Sequence, residues 1–286
     1  MSASRGYDDR MQSPLPTLAR TSLAVLGVLA LVCTVGPWLL PFDGQSPDWN
    51  ALSVAPGVAG HGFGTDAIGR DVLARTLMGG RLSLGIGVLS SVLALFIGLT
   101  YGAVAGLAGG RVERLMVRAL DVLSAIPFLL VVILLLTLFD RSLTLLLAAI
   151  GGYVWIDFAR VMRSEAARLR SAPFVLASEA MGATFGQRLR LHVVPNLLPL
   201  AMVYLGLILP QAILVESFLG FLGLSIDEPG ASWGSLLSDG VQELDSAPWT
   251  LLFPAAFLVT TLAAFQMLGD GLRDWLDVRT RPQAAA

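Results

Sequence analysis

Lysine is absent from all 286 residues, and every one of the 19 basic side chains is an arginine. A Walker A phosphate loop places a lysine on the β- and γ-phosphates, and Schiff-base chemistry needs a lysine amine, so both are excluded for this chain. Charge of either sign is scarce: only 14% of residues are charged, against about a quarter in an ordinary soluble domain. The formal net charge is −2 and no block of like charge occurs. Neither a nucleic-acid footprint nor a polybasic lipid-binding tail is therefore visible. The two histidines, His61 and His192, stand far apart and in no HExxH-like spacing, which argues against a histidine metal site. The single cysteine, Cys33, lies in an apolar run; it can form no internal disulfide and reads as a small packing residue.

What the sequence has instead is apolar length. Hydrophobic residues make up 55% of the chain, so lipid is the expected solvent for most of it. Uncharged stretches of about 18 residues or more cross a ~30 Å hydrocarbon core. Five such spans are Leu23 to Leu40, Leu82 to Leu107, Val122 to Phe139, Leu197 to Leu222 and Trp249 to Gly269. A shorter sixth, Leu143 to Ile156, is followed by Asp157 and Arg160, whose cost an interfacial position or a mutual i,i+3 pair would lower. The first run exceeds the length of a signal-peptide core and has no small-residue cleavage site after it, so it reads as a retained anchor. The expected fold is an all-α membrane protein of six transmembrane helices. Six spans put both termini on one side, and the positive-inside rule makes that side cytoplasmic. The arginines decide it: Arg5, Arg10, Arg20, Arg111, Arg114, Arg118, Arg160, Arg163, Arg168, Arg170, Arg188, Arg190, Arg273, Arg279 and Arg281 fall there, against Arg70, Arg75, Arg81 and Arg141 opposite.

The expected organisation is a cytoplasmic tail over 1–20, a first transmembrane helix over 21–41, an external loop and surface helix over 42–81, a core over 82–270 and a cytoplasmic tail over 271–286. Within the external segment Thr65 is expected to N-cap a short surface helix carrying acid-first i,i+4 pairs, Asp66 with Arg70 and Asp71 with Arg75. The core includes a cytoplasmic connection over 159–194, too long and too patterned for a turn. In the second span Gly98, Gly102 and Gly106 recur every four residues and form one stripe, where a second helix can approach closely. That helix belongs either to this chain or to a second subunit. Pro127, Pro199 and Pro210 imply kinks inside spans. Asp121 and Asp157 sit at span ends and Glu216 near the outer edge of the fifth span, so no acid occupies the midplane where secondary carriers place their ion sites. Glu216 is either structural, paired within the bundle or hydrated at its outer end, or it lines a translocation path. Ser225 invites the thought of a membrane protease, but His192 would lie on the opposite side of the membrane and could not serve it as base.

The connection FVLASEAMGATFGQRLRLHVVPNLLP, Phe174 to Pro199, resembles the signature loop of binding-protein-dependent ABC permeases. Ala177 stands at the first alanine of that pattern, Gly182 at its glycine, and Val194 with Pro195 at its terminal pair. Leu176 replaces the usual glutamate, Ser178 the second alanine and His192 a hydrophobic position. Three further segments, Gly62 to Leu84, Glu216 to Gly240 and Leu268 to Arg279, are similar in order and spacing to the second, shorter-loop permease of the dipeptide/oligopeptide branch. The resemblance implies a type I ABC importer permease fold in the bacterial inner membrane. It implies that Phe174, Val175, Ala177, Ser178, Glu179, Met181, Gly182 and Ala183 form a coupling helix whose apolar Phe174, Val175 and Met181 enter a groove on an ATPase subunit. Gly182 would mark the bend there, or simply end the helix as a C-cap. ATP and Mg would be bound by two partner ATPase subunits or domains, with no cofactor on this chain. A second permease would complete the pathway as a heterodimer, packing on Gly98, Gly102 and Gly106 if the stripe is not used internally. An extracytoplasmic binding protein would deliver a short peptide. Nickel, opines or another small solute remain alternatives within the same architecture, and a stand-alone secondary carrier is the competing class.

Overall fold

The computed structural model of the chain describes residues 16–139, 142–226 and 229–280, the side chains of 276–280 excepted. Arg5, Arg10, Arg141 and Arg281, and the side chain of Arg279, lie outside it. The long apolar runs are helical: α1 is Thr17–Leu39, α2 Val72–Ala108, α3 Gly110–Ala125, α4 Phe128–Leu138 and α5 Leu143–Arg170. The chain continues with α6 Pro173–Ala180, α7 Phe185–Arg188, a π turn Leu189–Val193, α8 Val194–Phe221, α9 Trp233–Gln242 and α10 Trp249–Thr280. Helix is the expected solution in lipid, since it satisfies every backbone donor and acceptor within one segment. Five spans are long and apolar enough to cross a membrane: α1, α2, α5, Phe185–Phe221 and Trp249–Trp275.

The third expected span is not one helix. It divides into α3 and α4, bent by 73°, and the cause is local. Pro127 has no N–H to donate, and its ring pushes the residue before it out of the helical region; Ile126 accordingly has φ −82°, ψ 123°. The arginine-bearing connection before Asp121 is therefore not a bare link between spans but the amphipathic helix α3. The fourth span is longer than its apolar core, because α5 runs on through Asp157 and Arg160 to Arg170.

The glycine stripe meets α5 of the same chain. A Cβ on Gly98 would lie 3.0 Å from the Trp155 carbonyl oxygen, and one on Gly102 would lie 2.6 Å from the Ala159 carbonyl oxygen and 2.7 Å from the Arg163 amide. Gly106 meets Arg163, Ala166 and Ala167 in the same way. The stripe is thus consumed internally and is closed to a second subunit. Because 98, 102 and 106 meet successively later residues of α5, the two helices run in the same direction. Around them Ile86, Leu99, Ile150, Phe158, Met162, Leu197 and Ala201 form the largest buried cluster.

At the end of the bundle where α2 begins, the 65–71 segment is a buried knot rather than a surface helix. Thr65 donates its hydroxyl to the Ala51 carbonyl and accepts from the Val54 amide at 2.8 Å, and residues 65 and 71 pair as an isolated bridge. The N-cap is Asp71, which accepts from the Ala74 amide at 2.7 Å and holds His61 Nδ1 at 2.8 Å. Asp66 does meet Arg70 at 2.7 Å, but Arg75 reaches Asp239 of α9 at 3.2 Å instead of pairing with Asp71. Trp233, fully buried, donates Nε1 to the Thr76 carbonyl, and Trp249 donates to the Thr65 carbonyl, each at 3.0 Å. These bonds tie α9 and the start of α10 onto the head of α2. Beside them, burial pushes the Glu243 carboxyl above the usual carboxylate range.

The α2–α5 contact can be tested by filling it. Gly102→Leu forces a side chain into the α5 backbone and should destabilise the fold by about 1–3 kcal/mol or more, read as loss of membrane-inserted protein and a lower melting temperature in detergent. Gly152→Leu, where a Cβ meets nothing within 4 Å, should leave both unchanged. Equal abundance of the two variants would contradict the packing.

Candidate coupling surface

The long helix α5 carries the chain out of the bundle at the arginine-rich end, and the segment after it is built from short-range signals. Pro173 at the first turn of α6 loses no hydrogen bond there, since first-turn amides have no intrahelical partner. Eight residues later the helix closes. The Gly182 amide donates to the Glu179 carbonyl at 2.9 Å and the Ala183 amide to the Ser178 carbonyl at 3.0 Å, with Gly182 at φ +86°. This pair of bonds is a Schellman motif with Gly182 in the left-handed position. A Cβ at Gly182 would meet nothing within 4 Å, so its backbone angle, not close approach within this chain, is what asks for glycine. Thr184 then opens α7 with a capping box closed by Gln187. The π turn lies just ahead of Pro195, which cannot donate to the Leu191 carbonyl one α-turn back.

The apolar side chains of α6 divide between two faces. Val175 is fully buried in the chain's own core, in the cluster that contains Leu169, Val193 and Leu197. The expectation that Val175 enters a partner groove is therefore wrong: one face of so short a helix must hold it to the bundle, and that is the face of Val175 and the buried Ser178. Phe174, Leu176 and Met181 are 43%, 50% and 82% exposed. Leu176, marked in the sequence only as a departure from the family glutamate, belongs to the outward set; the α-helical period that places it opposite Ser178 was the signal available. Ala177, Glu179 and Gly182 are exposed and Ala183 half-buried. Glu179 pairs with Arg188 at 2.6 Å across the Gly182 turn, and Phe174 stands edge-on to His192 with ring centroids 6.1 Å apart. The residues expected to form a coupling surface are thus brought together on one helix-turn-helix, held from inside by Val175 and from the side by the Glu179–Arg188 pair.

The remaining singled-out residues do not join them. Glu216 is fully buried near the far end of α8, among the hydroxyls of Ser83, Ser217 and Ser232. Ser217 Oγ lies 3.4 Å from its Oε2 and Oε1 has no partner. Ser225 and His192 flank opposite ends of α8, so no nucleophile–base pair forms. Among the described residues no cluster of His, Cys, Asp or Glu could hold a metal ion.

A family model described as binding-protein-dependent transport system inner membrane component matches residues 98–282. The chain belongs to that family. The match runs from the last part of α2 through α10 and so includes α5 and the α6–α7 turn. Oligopeptide transport system permease protein OppC of Haemophilus influenzae is 46% identical over 264 residues, 92% of this chain and 85% of that protein. The protein of the same name in Escherichia coli K12 is 44% identical over 92% of this chain and 87% of its own length. Dipeptide transport system permease protein DppC of Bacillus subtilis is 40% identical over 92% and 82% respectively. The chain is accordingly a multi-pass inner-membrane permease subunit of an ABC importer, one that works with a substrate-binding protein and with a separate ATPase.

The two faces of α6 make opposite demands. Val175→Asp would bury an unpaired charge, at a cost of several kcal/mol, and should deplete the chain from the membrane. Met181→Asp, on an exposed site, should leave abundance within the wild-type range. Quantitative blotting of membrane fractions checks both, and normal abundance of Val175→Asp would refute the inward face.

Proposed function

We propose that this permease imports short peptides and that α6 is the helix through which ATP-driven movements of its partner reach the membrane bundle. The observation that carries the reading is the outward set Phe174, Leu176 and Met181 on a short capped helix at the arginine-rich end of the bundle. Phe174 and Met181, seven residues apart, share one side of the helix while Leu176 projects from the other; a short helix with apolar anchors on its outer flanks can seat in a partner's apolar groove. Peptide as the substrate is supported by relatives whose names are oligopeptide and dipeptide permeases over nearly their whole length. In this reading ATP and Mg reside on two ATPase subunits or domains, and a second permease of a different sequence completes the pathway. Glu216, enclosed by serines in this conformation, would reach the pathway only when α8 and α9 separate.

Both termini and α6 face the cytoplasm in this arrangement. The support is the arginine count and its placement: Arg20, Arg111, Arg114, Arg118, Arg160, Arg163, Arg168, Arg170, Arg188 and Arg190 all lie at or beyond one end of the spans. A reporter fused after residue 286 should be active only in the cytoplasm, and one inserted near Gly57 only outside it. A surface label that reaches the C-terminus in sealed cells would overturn the orientation.

The coupling role is tested with uptake. In cells carrying the whole transporter, Phe174→Ala and Met181→Asp should reduce labelled-peptide uptake at least about tenfold, the loss expected for one or two kcal/mol of anchor energy, while membrane abundance stays normal. The ATPase should copurify less with the variants than with the wild type. Normal uptake by both variants at normal abundance would refute the assignment.

A further inference from the structure

We propose that α3 and the adjoining stretch of α5 form a binding site for the headgroup of an anionic phospholipid. Arg111, Arg114 and Arg118 lie three and four residues apart, so one face of α3 carries all three, and all are exposed. They line a cleft of about 680 Å³ with Leu115, Glu113, Asp121 and Arg163. The acids of the cleft are already engaged: Glu113 meets Arg163 at 3.0 Å and Arg170 at 3.6 Å, and Asp121 meets Arg160 at 3.2 Å. Every one of those guanidiniums belongs to α5. The three on α3 have no carboxylate partner among the described residues, so the cleft presents uncompensated positive charge.

Depth selects lipid as the occupant. The apolar stretch of α2 starts at Leu82; at ~1.5 Å per residue and a ~30 Å core, its far boundary falls near Gly102. The chain turns at Gly109, where φ is +67°, about 10 Å beyond that boundary by the same rise. It climbs back along α3 until Asp121 and Ser124 meet Arg160. With Gly109 about 10 Å out and Asp121 at the boundary, the arginines of α3 span the ~5–8 Å headgroup layer, Arg111 toward its outer edge and Arg118 toward its inner one. The 73° bend at Pro127 turns α3 away from the line of α4. Beside the arginines Leu115 is 72% exposed and Val122 60% exposed. An apolar strip next to a guanidinium strip fits acyl chain and phosphate together, as an interfacial helix does, and basic pockets between helices at this level take anionic headgroups. The site could not be seen as a run of like charge, because the arginines are interleaved with apolar residues and converge only when the segment is helical.

The test uses the full-length chain purified in mild detergent, with phosphatidylglycerol and phosphatidylcholine of equal chain length as probes. Retained lipid is counted by native mass spectrometry. Each guanidinium at an anionic surface contributes roughly a fivefold preference, so wild type should retain phosphatidylglycerol at least about tenfold better than phosphatidylcholine, and less so as salt is raised. Arg111→Gln/Arg114→Gln/Arg118→Gln should abolish the preference, and the charge-conserving Arg→Lys triple should keep most of it. Unchanged circular dichroism melts show that the variants are folded; if the glutamine triple does not fold, the single Arg114→Gln should still reduce the preference about fivefold. Equal retention of the two lipids by wild type would overturn the proposal. So would an undiminished preference in a folded glutamine variant that has instead lost its copurifying ATPase, which would assign the face to that protein.

Discussion

Apolar helices surrounded by apolar lipid gain nothing by hiding from their solvent, so something other than hydrophobicity must hold this bundle together. Here it is the near-contact of two backbones. Gly98, Gly102 and Gly106 bring α2 against α5 at distances where a single Cβ would collide with carbonyl oxygens and amides. Dispersion between closely packed backbones supplies the attraction. The consequences spread along both helices. Since they run side by side in one direction, Arg170 can reach the Gly106 carbonyl at 3.3 Å, and Arg163 and Arg170 can gather Glu113 at the start of α3.

The two ends of the bundle are finished differently. Around the head of α2 several polar groups are turned inward and paired: Asp71 caps a helix and holds His61, Asp66 binds Arg70, and two tryptophan N–H groups find backbone carbonyls. That end is tied to itself by bonds between distant parts of the chain. At the arginine-rich end the long-range ties run mostly from α5 arginines to α2 and α3, and the exposed groups are more telling. Phe174, Leu176, Met181, Leu115 and the three α3 arginines are all left in the open. A permease of this family works with separate proteins and within lipid, and a surface of this kind gives such partners something to hold.

Much of the architecture was legible because the membrane imposes so narrow a choice. Apolar runs of sufficient length become helices, and five of the six expected spans appear as single helices. The capped helix around Gly182 was legible too, since glycine at the end of a short helix admits few geometries; only the choice between a bend and a cap needed coordinates. Where the reading failed, one failure was local, the break of the third span at Pro127, and the others were tertiary. Asp71 and Arg75 have the spacing of a helical ion pair, yet Asp71 is used up by His61 and the Ala74 amide, and Arg75 by a residue 164 positions away. Val175 was grouped with Phe174 because both are apolar, and only packing against Val193 and Leu197 separates them.

By itself, the sequence determined an arginine-only, lysine-free chain unable to build a phosphate loop, its set of membrane-crossing helices, and a capped turn with the family's signature. These are local properties: period, length and the steric preferences of glycine and proline act within a few residues. Tertiary structure alone decided which helix fills the glycine stripe and which face of α6 turns inward. Those outcomes depend on partners far off in the chain, and a pattern of residue types does not record which of several compatible neighbours a side chain will meet.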